Sequence, residues 1–379
     1  MRFRVVKIFD ESNLDEYREN HKDKFVYEYA YPFLSYGSEN LISNLKTNVK
    51  VLQLSNGREV IITINKKEYS NTYTVSPFSH FITYCYDELY CLNNKILEFV
   101  LRPIIYLIGL LFKTGEINNI AIVNSLMLST NLINNLSFKE LKEIKEYLIK
   151  NYLKSTIVFR SLNNYFYSNI SASLEKLDFK KLPSRQIYLL KKSDTLNKSA
   201  RKKINQDYKL ISKNNLDIID IKETIYSAEI VKLYNMLYID KYSKSNPMIN
   251  KTFVEFLINN DKFIFKGLIN KDMELMGVIG CFVVNNTLTT PILGYDTSKE
   301  IDLYRMLTSM INKLGEELSC NIHRSSGVGK FKKLRGSKKD IEYIYYYNEH
   351  LAFYRKMPYK LLSILNSKRI IKFIMERDF

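Results

Sequence analysis

The stretch Asn321–Gly336, NIHRSSGVGKFKKLRG, contains the residue types of an anion grip. From Arg324 to Lys339 run seven basic residues (Arg324, Lys330, Lys332, Lys333, Arg335, Lys338 and Lys339) and no acid. Gly327, Gly329 and Gly336 let the backbone approach a ligand and adopt positive φ. Ser325, Ser326 and the amides around them follow a strand and sit beside several cations, which suits a phosphate or another anion. The segment is not a Walker A loop. That pattern requires Gly where Arg324 stands and Ser or Thr where Phe331 stands. A solvated basic turn is the bland alternative. Against it, Phe331 and Leu334 are apolar and should pin the segment to the core.

Two further groups could move protons. On a strand at Ser319–Arg324, Asn321 and His323 share one face. The ordinary pKa of His323, near 6.5, suits proton transfer at neutral pH, although a lone strand histidine is as often structural. Gly294-Tyr295-Asp296-Thr297-Ser298 closes another strand ahead of a helix holding Tyr304 and Arg305. Strand ends that open onto helix starts are where α/β sheets bind ligands. There Tyr295 and Asp296 could exchange protons with a substrate. The competing account is a turn in which Asp296 or Ser298 caps the helix. His80 and His350 stand isolated, and Tyr343, Tyr345, Tyr346 and Tyr347 read as sheet filling. No G-x-S-x-G, no H-E-x-x-H and no carboxylates at catalytic spacing occur. Cys85, Cys91, Cys281 and Cys320 are scattered without a C-x-x-C pair, so neither a zinc site nor a disulfide framework is expected.

The elements that must position these residues recur. Lys50–Lys66 alternates apolar and polar residues around Asn56-Gly57, a hairpin signal. Tyr73–Tyr86 is aromatic-rich and is expected to be extended. Ser137–Leu153 is a helix, with Ser137 and Glu140 spaced as a capping box. A strand at Ser155–Arg160, a helix at Ile170–Leu177 and a strand at Arg185–Leu190 follow. The second half offers helices at Ile225–Tyr242 and Thr252–Asn260, then a hairpin of Phe263–Asn270 and Glu274–Val284. Next come a strand at Thr287–Tyr295, a helix at Leu303–Leu318, a strand at Ser319–Arg324 and a strand at Ile341–Tyr347. The unit at 137–190 therefore reappears at 303–347, an offset of roughly 160 residues that points to a duplicated domain rather than a solenoid. The first copy has neither the glycines nor the cations of the second: Ser161-Leu162-Asn163-Asn164 stands in place of Ser325–Gly336. It is expected to be degenerate and to shape the cleft.

Length and charge bound the rest. The chain has 379 residues, 57 Lys and Arg against 40 Asp and Glu, a net charge of +17 and 46% apolar residues. That is the balance of a folded protein with room for a large core. Residues 1–195 hold 26 basic and 20 acidic side chains, and residues 196–379 hold 31 and 20. The seam is Lys191–Lys213, polar and basic, read as a solvated linker running into a basic helix. The expected units are 1–195, 196–351 and a helical tail, 352–379. Within the tail, Pro358–Met375 is a helix candidate, with an anionic membrane as a secondary partner. The longest uncharged apolar run, Pro103–Phe112, has 10 residues, about half a bilayer span. A buried helix or a connection under the core is expected there, ahead of an interfacial membrane helix. Met1–Asp10 does not read as a leader, and a soluble, reduced, cytoplasmic protein is expected.

The order of elements, with Phe331-Lys332 and Arg335-Gly336 ahead of the strand Ile341–Tyr347, resembles the tandem GNAT-fold acyltransferases. The similarity is to the branch related to Fem-type aminoacyl transferases. Ser199–Asp207 is similar to the basic helix that opens that family's second domain. The resemblance implies an α/β (α+β) architecture: two GNAT-like domains, each a mixed, mostly antiparallel sheet flanked by helices. It also implies a substrate-anion or oxyanion role for Lys332. Two features of the family are missing. Gly294–Arg305 lacks the Arg/Gln-x-x-Gly-x-Gly/Ala pattern that cradles coenzyme A pyrophosphate, and no long heptad hairpin appears.

The function expected on these grounds is transfer of an acyl or aminoacyl group to a small-molecule or peptide amine. The donor would be an acyl-CoA, a carrier-protein pantetheine thioester or an aminoacyl-tRNA, with no tightly bound cofactor and no metal. His323 or Asp296 would accept the proton, and Tyr295 or Tyr304 would protonate the leaving group. Lys332, with amides of Ser326–Gly329, would supply positive charge. Asn321, Ser325, Ser326, Gly327, Gly329, Lys330 and Arg335 would hold the donor or its anion. A basic nucleic-acid-binding protein, with tRNA as its ligand and without catalysis, is the alternative.

Overall fold

The computed structural model of the chain describes residues 6–365. The first half runs β1 (Lys7–Phe9), α1 (Leu14–Asn20), α2 (Lys24–Tyr36), β2 (Asn48–Gln53) and β3 (Glu59–Asn65). A π-helical turn at Ser79–Thr83 leads into the short α3 (Tyr84–Asp87). Then come α4 (Lys95–Thr114), β4 (Ile120–Val123), α5 (Phe138–Asn151), β5 (Thr156–Asn163), α6 (Ser168–Lys176) and β6 (Lys180–Leu190). The second half runs α7 (Lys198–Lys213), β7 (Asp217–Asp220), α8 (Ser227–Tyr238), α9 (Lys251–Ile258), β8 (Phe263–Ile269) and β9 (Leu275–Val284). It closes with β10 (Thr287–Tyr295), α10 (Leu303–Glu317), β11 (Asn321–His323), α11 (Gly329–Lys333), β12 (Lys338–Tyr347) and α12 (Phe353–Leu365).

All twelve strands join one sheet in the order β1-β2-β3-β4-β5-β12-β6-β11-β10-β9-β8-β7. Adding six to each strand number reverses the order, so the two copies are related by a pseudo-dyad between β12 and β6. Each copy is mixed and mostly antiparallel, with one parallel pair, β4–β5 or β10–β11. The half-sheets are fused by an exchange. β12 lies between β5 and β6, and β6 lies between β12 and β11. The repeat legible in the sequence thus corresponds to a sheet whose last strands have crossed over.

Alternation along the strands sorts side chains to two faces. On one face, Val158, Ile344, Tyr346, Val278 and Phe282 meet α2, α8 and α9 in a core shared by both halves. Tyr29 and Phe33 of α2 pack against Phe253 of α9, with ring centroids 6.5 and 5.5 Å apart. On the other face, α5 and α6 cover the first half, and α7 and α10 cover the second. The Ser137–Glu140 capping box forms as its spacing predicts, with the Glu140 amide donating to Ser137 Oγ.

Gly294 is where α8 comes closest to the sheet. A Cβ there would stand 2.5 Å from the Tyr234 backbone nitrogen and 2.6 Å from the Leu233 carbonyl carbon. Neither backbone atom can swing aside, so Gly294→Ala is expected to lower stability by about 1–3 kcal/mol, read as a lower urea midpoint at unchanged m-value.

Three expectations are corrected. Tyr73–Tyr86 is not extended: residues 79–87 are helical, with Ser79 and Ile82 buried. Pro103–Phe112 is not buried. It lies in α4, which presents apolar side chains outward, with only Gly109 and Phe112 buried. Leu334 does not pin the basic loop, since it is 46% exposed, while Phe331 is half-buried. The tail helix begins at Phe353, ahead of Pro358, and the rest of the expected helix, 366–375, lies outside the described residues.

Candidate active site

The sheet opens at one point. β10 and β11 share a parallel register over Thr287↔Asn321, Leu288↔Ile322 and Thr289↔His323. There β11 ends, while β10 continues to Tyr295. The chain after β11 stays with β6 instead: the Arg324 amide donates to the Tyr188 carbonyl (2.9 Å) and the Tyr188 amide to the Ser325 carbonyl (3.0 Å). The result is a wedge between two parallel strands. A β-bulge marks the same place on β10, where the register with β9 shifts between Thr289 and Ile292. A bulge leaves one residue outside the ladder. Pro291 there has no N–H to offer.

Arg324 sits at the apex of the wedge on the α10 side. It is buried, and Nη2 donates to Asn312 Oδ1 of α10. Its Nε and Nη1 have no hydrogen-bond partner among the described residues, and neither does Asn312 Nδ2. Burial pushes the guanidinium down to about 10, against the opposing pull of Tyr304. Tyr304 is itself raised to about 12, chiefly by burial. It is therefore a phenol at neutral pH, able to donate a proton. Its ring lies 6.3 Å from Tyr295 and 5.2 Å from Phe331.

The basic loop folds inward on itself. Positive φ at Ser325, Gly327 and Val328 makes a tight turn. Through it the buried Lys332 amine donates to the carbonyls of Arg324 (2.6 Å) and Ser326 (2.7 Å). Burial, then the charges of Arg324 and Arg185, push its pKa well down. Lys332 thereby holds the shape of the loop. Arg335 is buried too: Nε donates to Asp207 of α7 at 2.5 Å, and the guanidinium lies 3.4 Å from the Phe331 ring centre. Asp207 also accepts from Arg305 Nε at 2.8 Å, so one buried carboxylate ties α7 and α10 to the turn that follows α11. Lys330, Ser326 and Gly327 are exposed, Ser325 is half-buried, and Gly329 is buried at the start of α11. Asn321, at the loop's origin, donates to the Asn286 carbonyl (3.1 Å) and accepts from the Lys192 amide (3.1 Å).

His323 points to the opposite face. Its Nδ1 accepts from the Ser325 amide at 3.1 Å, which fixes the neutral ring as the Nε2–H tautomer. Nε2 faces Glu342 Oε1 at 3.6 Å without a hydrogen bond. Burial lowers the imidazole pKa, and Glu342 only partly restores it. With its lone pair engaged, the ring is better placed to hold the loop than to accept a proton. Asp296 lies at the mouth of the wedge and accepts from Ser298 N (2.9 Å) and Ser298 Oγ (2.5 Å). Burial raises its pKa, but those hydrogen bonds outweigh it and the net shift is downward. An ionised carboxylate docks an amine well and is a weak general base at neutral pH.

The structure also gathers residues that the sequence reading left scattered. On β6 and β12, Arg185 Nε donates to Glu342 Oε2 at 2.6 Å, and Arg185 Nη2 reaches the Ser129 carbonyl at 2.8 Å. Burial would raise the Glu342 pKa, but the Arg185 charge holds it below the usual carboxylate range. Arg160 of β5 donates to the Thr74 carbonyl and is lowered to about 10 by burial. His80 faces Ser184 Oγ at 3.1 Å, and burial, with Arg160 and Arg185, pulls it down to about 3. The Tyr73 ring is tilted against this group, its centre 5.9 Å from that of His80. These residues come from four segments, so no spacing in the sequence could have joined them. Arg160 and His80 line a small cavity with Tyr73, Val158 and Tyr359.

The buried histidines fix an acid response. His80, His323 and His350 all have folded pKa values below the ordinary 6.5, so the fold favours their neutral forms. That stability is fully present above about pH 6.5 and is lost as the pH falls through the folded values, about 3 for His80. Urea unfolding should therefore give a falling unfolding free energy from pH 7 to 4.5. That window lies above the unfolded Glu pKa, so Glu342 contributes little to it, and His80→Gln should flatten the slope.

Each copy runs antiparallel strands into a helix-linked parallel pair, β4–β5 and β10–β11. This duplicated topology is the one expected of two GNAT-like domains in tandem. No protein-family model and no curated protein matches the chain. Among solved structures, the C-terminal domain of a putative lysylphosphatidylglycerol synthetase from Agrobacterium fabrum is similar at TM-score 0.44 and 10% identity, over 60% of this chain and 79% of that one. FemX is similar at 0.42 and 7%, over 59% and 79%. A tandem GNAT protein from the clavulanic acid biosynthesis pathway is similar at 0.40 and 7%, over 92% and 99%. The chemistry has to be read from the residues of this chain.

Proposed function

We propose that the protein is an acyltransferase that passes an acyl or aminoacyl group from an activated ester or thioester to an amine. The observation behind this is the wedge between β10 and β11: a bulged strand edge inside the sheet, with a buried guanidinium at its apex that has two nitrogens without partners among the described residues. An extended acyl donor can lie along such an edge. Attack of the amine nitrogen on the carbonyl carbon builds negative charge on the carbonyl oxygen, which pre-aimed donors stabilise. The unpartnered Nε and Nη1 of Arg324 are those donors. Collapse of the adduct breaks the C–O or C–S bond; the Tyr304 phenol gives its proton to the leaving oxygen or sulfur and regains one from the nitrogen of the adduct. Asp296 docks the incoming ammonium, whose proton passes to water.

The surroundings favour one donor. Asp296, Lys299, Glu300 and Asp302 lie ahead of α10, a segment of mixed charge without the glycines that would cradle the phosphates of coenzyme A. By contrast, Lys198, Arg201, Lys202 and Lys209 of α7 are exposed, and α7 is tied to α10 and the loop through Asp207. A long polyanion fits this face, which makes aminoacyl-tRNA the preferred donor. The test is native mass spectrometry and acyl-release kinetics with acyl-CoA, a phosphopantetheinylated carrier protein and aminoacyl-tRNA, each with a mixture of amines. Salt-sensitive retention of tRNA, with acyl release that depends on an amine, supports the reading. Retention of tRNA without release from any donor leaves a nucleic-acid-binding protein and ends the enzyme assignment.

A further inference from the structure

No helix among the described residues is long and apolar enough to cross a membrane, yet α4 is clothed in apolar side chains on the side away from the protein. Ile96 is 80% exposed, Phe99 78%, and Tyr106 and Leu107 63% each. From Ile96 to Leu111 every exposed residue is apolar. The two charges within that span pair with each other along the helix, Glu98 with Arg102, and Arg102 also lies 4.6 Å from the Tyr86 ring centre. The exposed cations Lys95 and Lys113 stand at the two ends of the helix. Water is a poor neighbour for such a face. Monomeric soluble proteins seldom expose a contiguous apolar area this long, and a rimmed patch marks an interaction surface.

We propose that α4 is a membrane-docking helix that lies flat in the surface of an anionic bilayer. Charge complementarity points to lipid. The one carboxylate of the helix is neutralised from within, cations remain at both ends, and the chain carries +17. The relief of the face agrees. Ile96 and Phe99 project as separate prongs suited to acyl chains, and exposed Tyr86, Tyr90 and Tyr106 lie where interfacial tyrosines anchor. α12 extends the surface. It abuts the end of α4, where a Cβ on Gly115 would stand 2.3 Å from Pro358, and it exposes Phe353 and Ile364. The 78–86 segment between α4 and the sheet packs Phe78 and Ile82 under Gly109, while His80 joins the Arg160–Arg185 cluster. Docking on α4 therefore abuts the polar centre of the sheet directly.

The test is sedimentation of the full chain with vesicles of phosphatidylcholine alone and of phosphatidylcholine with 30% phosphatidylglycerol. Binding to the anionic vesicles, weakened by 0.5 M KCl and reduced at least tenfold in Phe99→Glu and Leu107→Glu, is the expected result. Both side chains are exposed, so both variants should keep the wild-type melting temperature. Absence of binding to anionic vesicles overturns the proposal. So does a concentration-dependent dimer that Phe99→Glu abolishes, since a second copy would then cover the face. Full loss of binding on truncation after Leu365, with α4 intact, assigns the contact to the tail and overturns it as well.

Discussion

Arg324→Met is expected to make the protein more stable and to remove its turnover. Two of the three guanidinium nitrogens of Arg324 are buried without partners among the described residues, and its pKa is already depressed to about 10. Replacing a buried, under-paired charge with an apolar side chain of similar length is often neutral or stabilising, by about 1–4 kcal/mol. The same substitution removes the donor aimed at the acyl oxygen. Losing one such donor costs about 10²–10³ in rate. Single-turnover release of the acyl group from whichever donor is retained, read beside a urea titration, separates the two effects. A variant that is both less stable and fully active would place Arg324 in the architecture alone. A structural arginine left so poorly satisfied makes sense only if something else completes its bonds.

Glu342→Ala is expected to have the opposite outcome, a large loss of stability. Glu342 and Arg185 form a nearly water-free pair at the centre of the sheet, with side-chain exposures of 2% and 15%. Removing one partner of such a pair costs about 3–5 kcal/mol, because the other charge stays buried. Here the groups left behind are the guanidinium groups of Arg185 and Arg160, with the His323 ring beside them. The double variant Glu342→Leu/Arg185→Met should recover much of the loss, since it removes the stranded charge. Melting temperatures of the two singles and the double test this as a double-mutant cycle.

Sequence periodicity reached some elements and missed others for identifiable reasons. The α5 capping box, the hairpin around Asn56-Gly57 and the apolar stripe of α10 are local signals, and each is present. Tyr73–Tyr86 misled because aromatic runs favour strands on average, while here residues 79–87 are helical. Pro103–Phe112 showed that a segment is apolar but not what surrounds it. Lys332 was expected to present its charge to a substrate, and it turns inward to the loop's own carbonyls instead. Its burial depends on carbonyls turned inward by positive φ at Ser325, Gly327 and Val328, which no residue pattern announces. The His80–Arg160–Arg185–Glu342 group was beyond sequence spacing altogether, because the exchange of β6 and β12 assembles it.

That exchange also has a cost during biosynthesis. β6 leaves the ribosome before either of its neighbours, β11 and β12, has been made. β5 likewise waits for β12 on one side. The nascent first half therefore carries open backbone edges, a recognised hazard for aggregation, through the synthesis of more than a hundred further residues. A holding chaperone, or slow co-translational closure of the sheet around its last strand, is the natural companion of this topology.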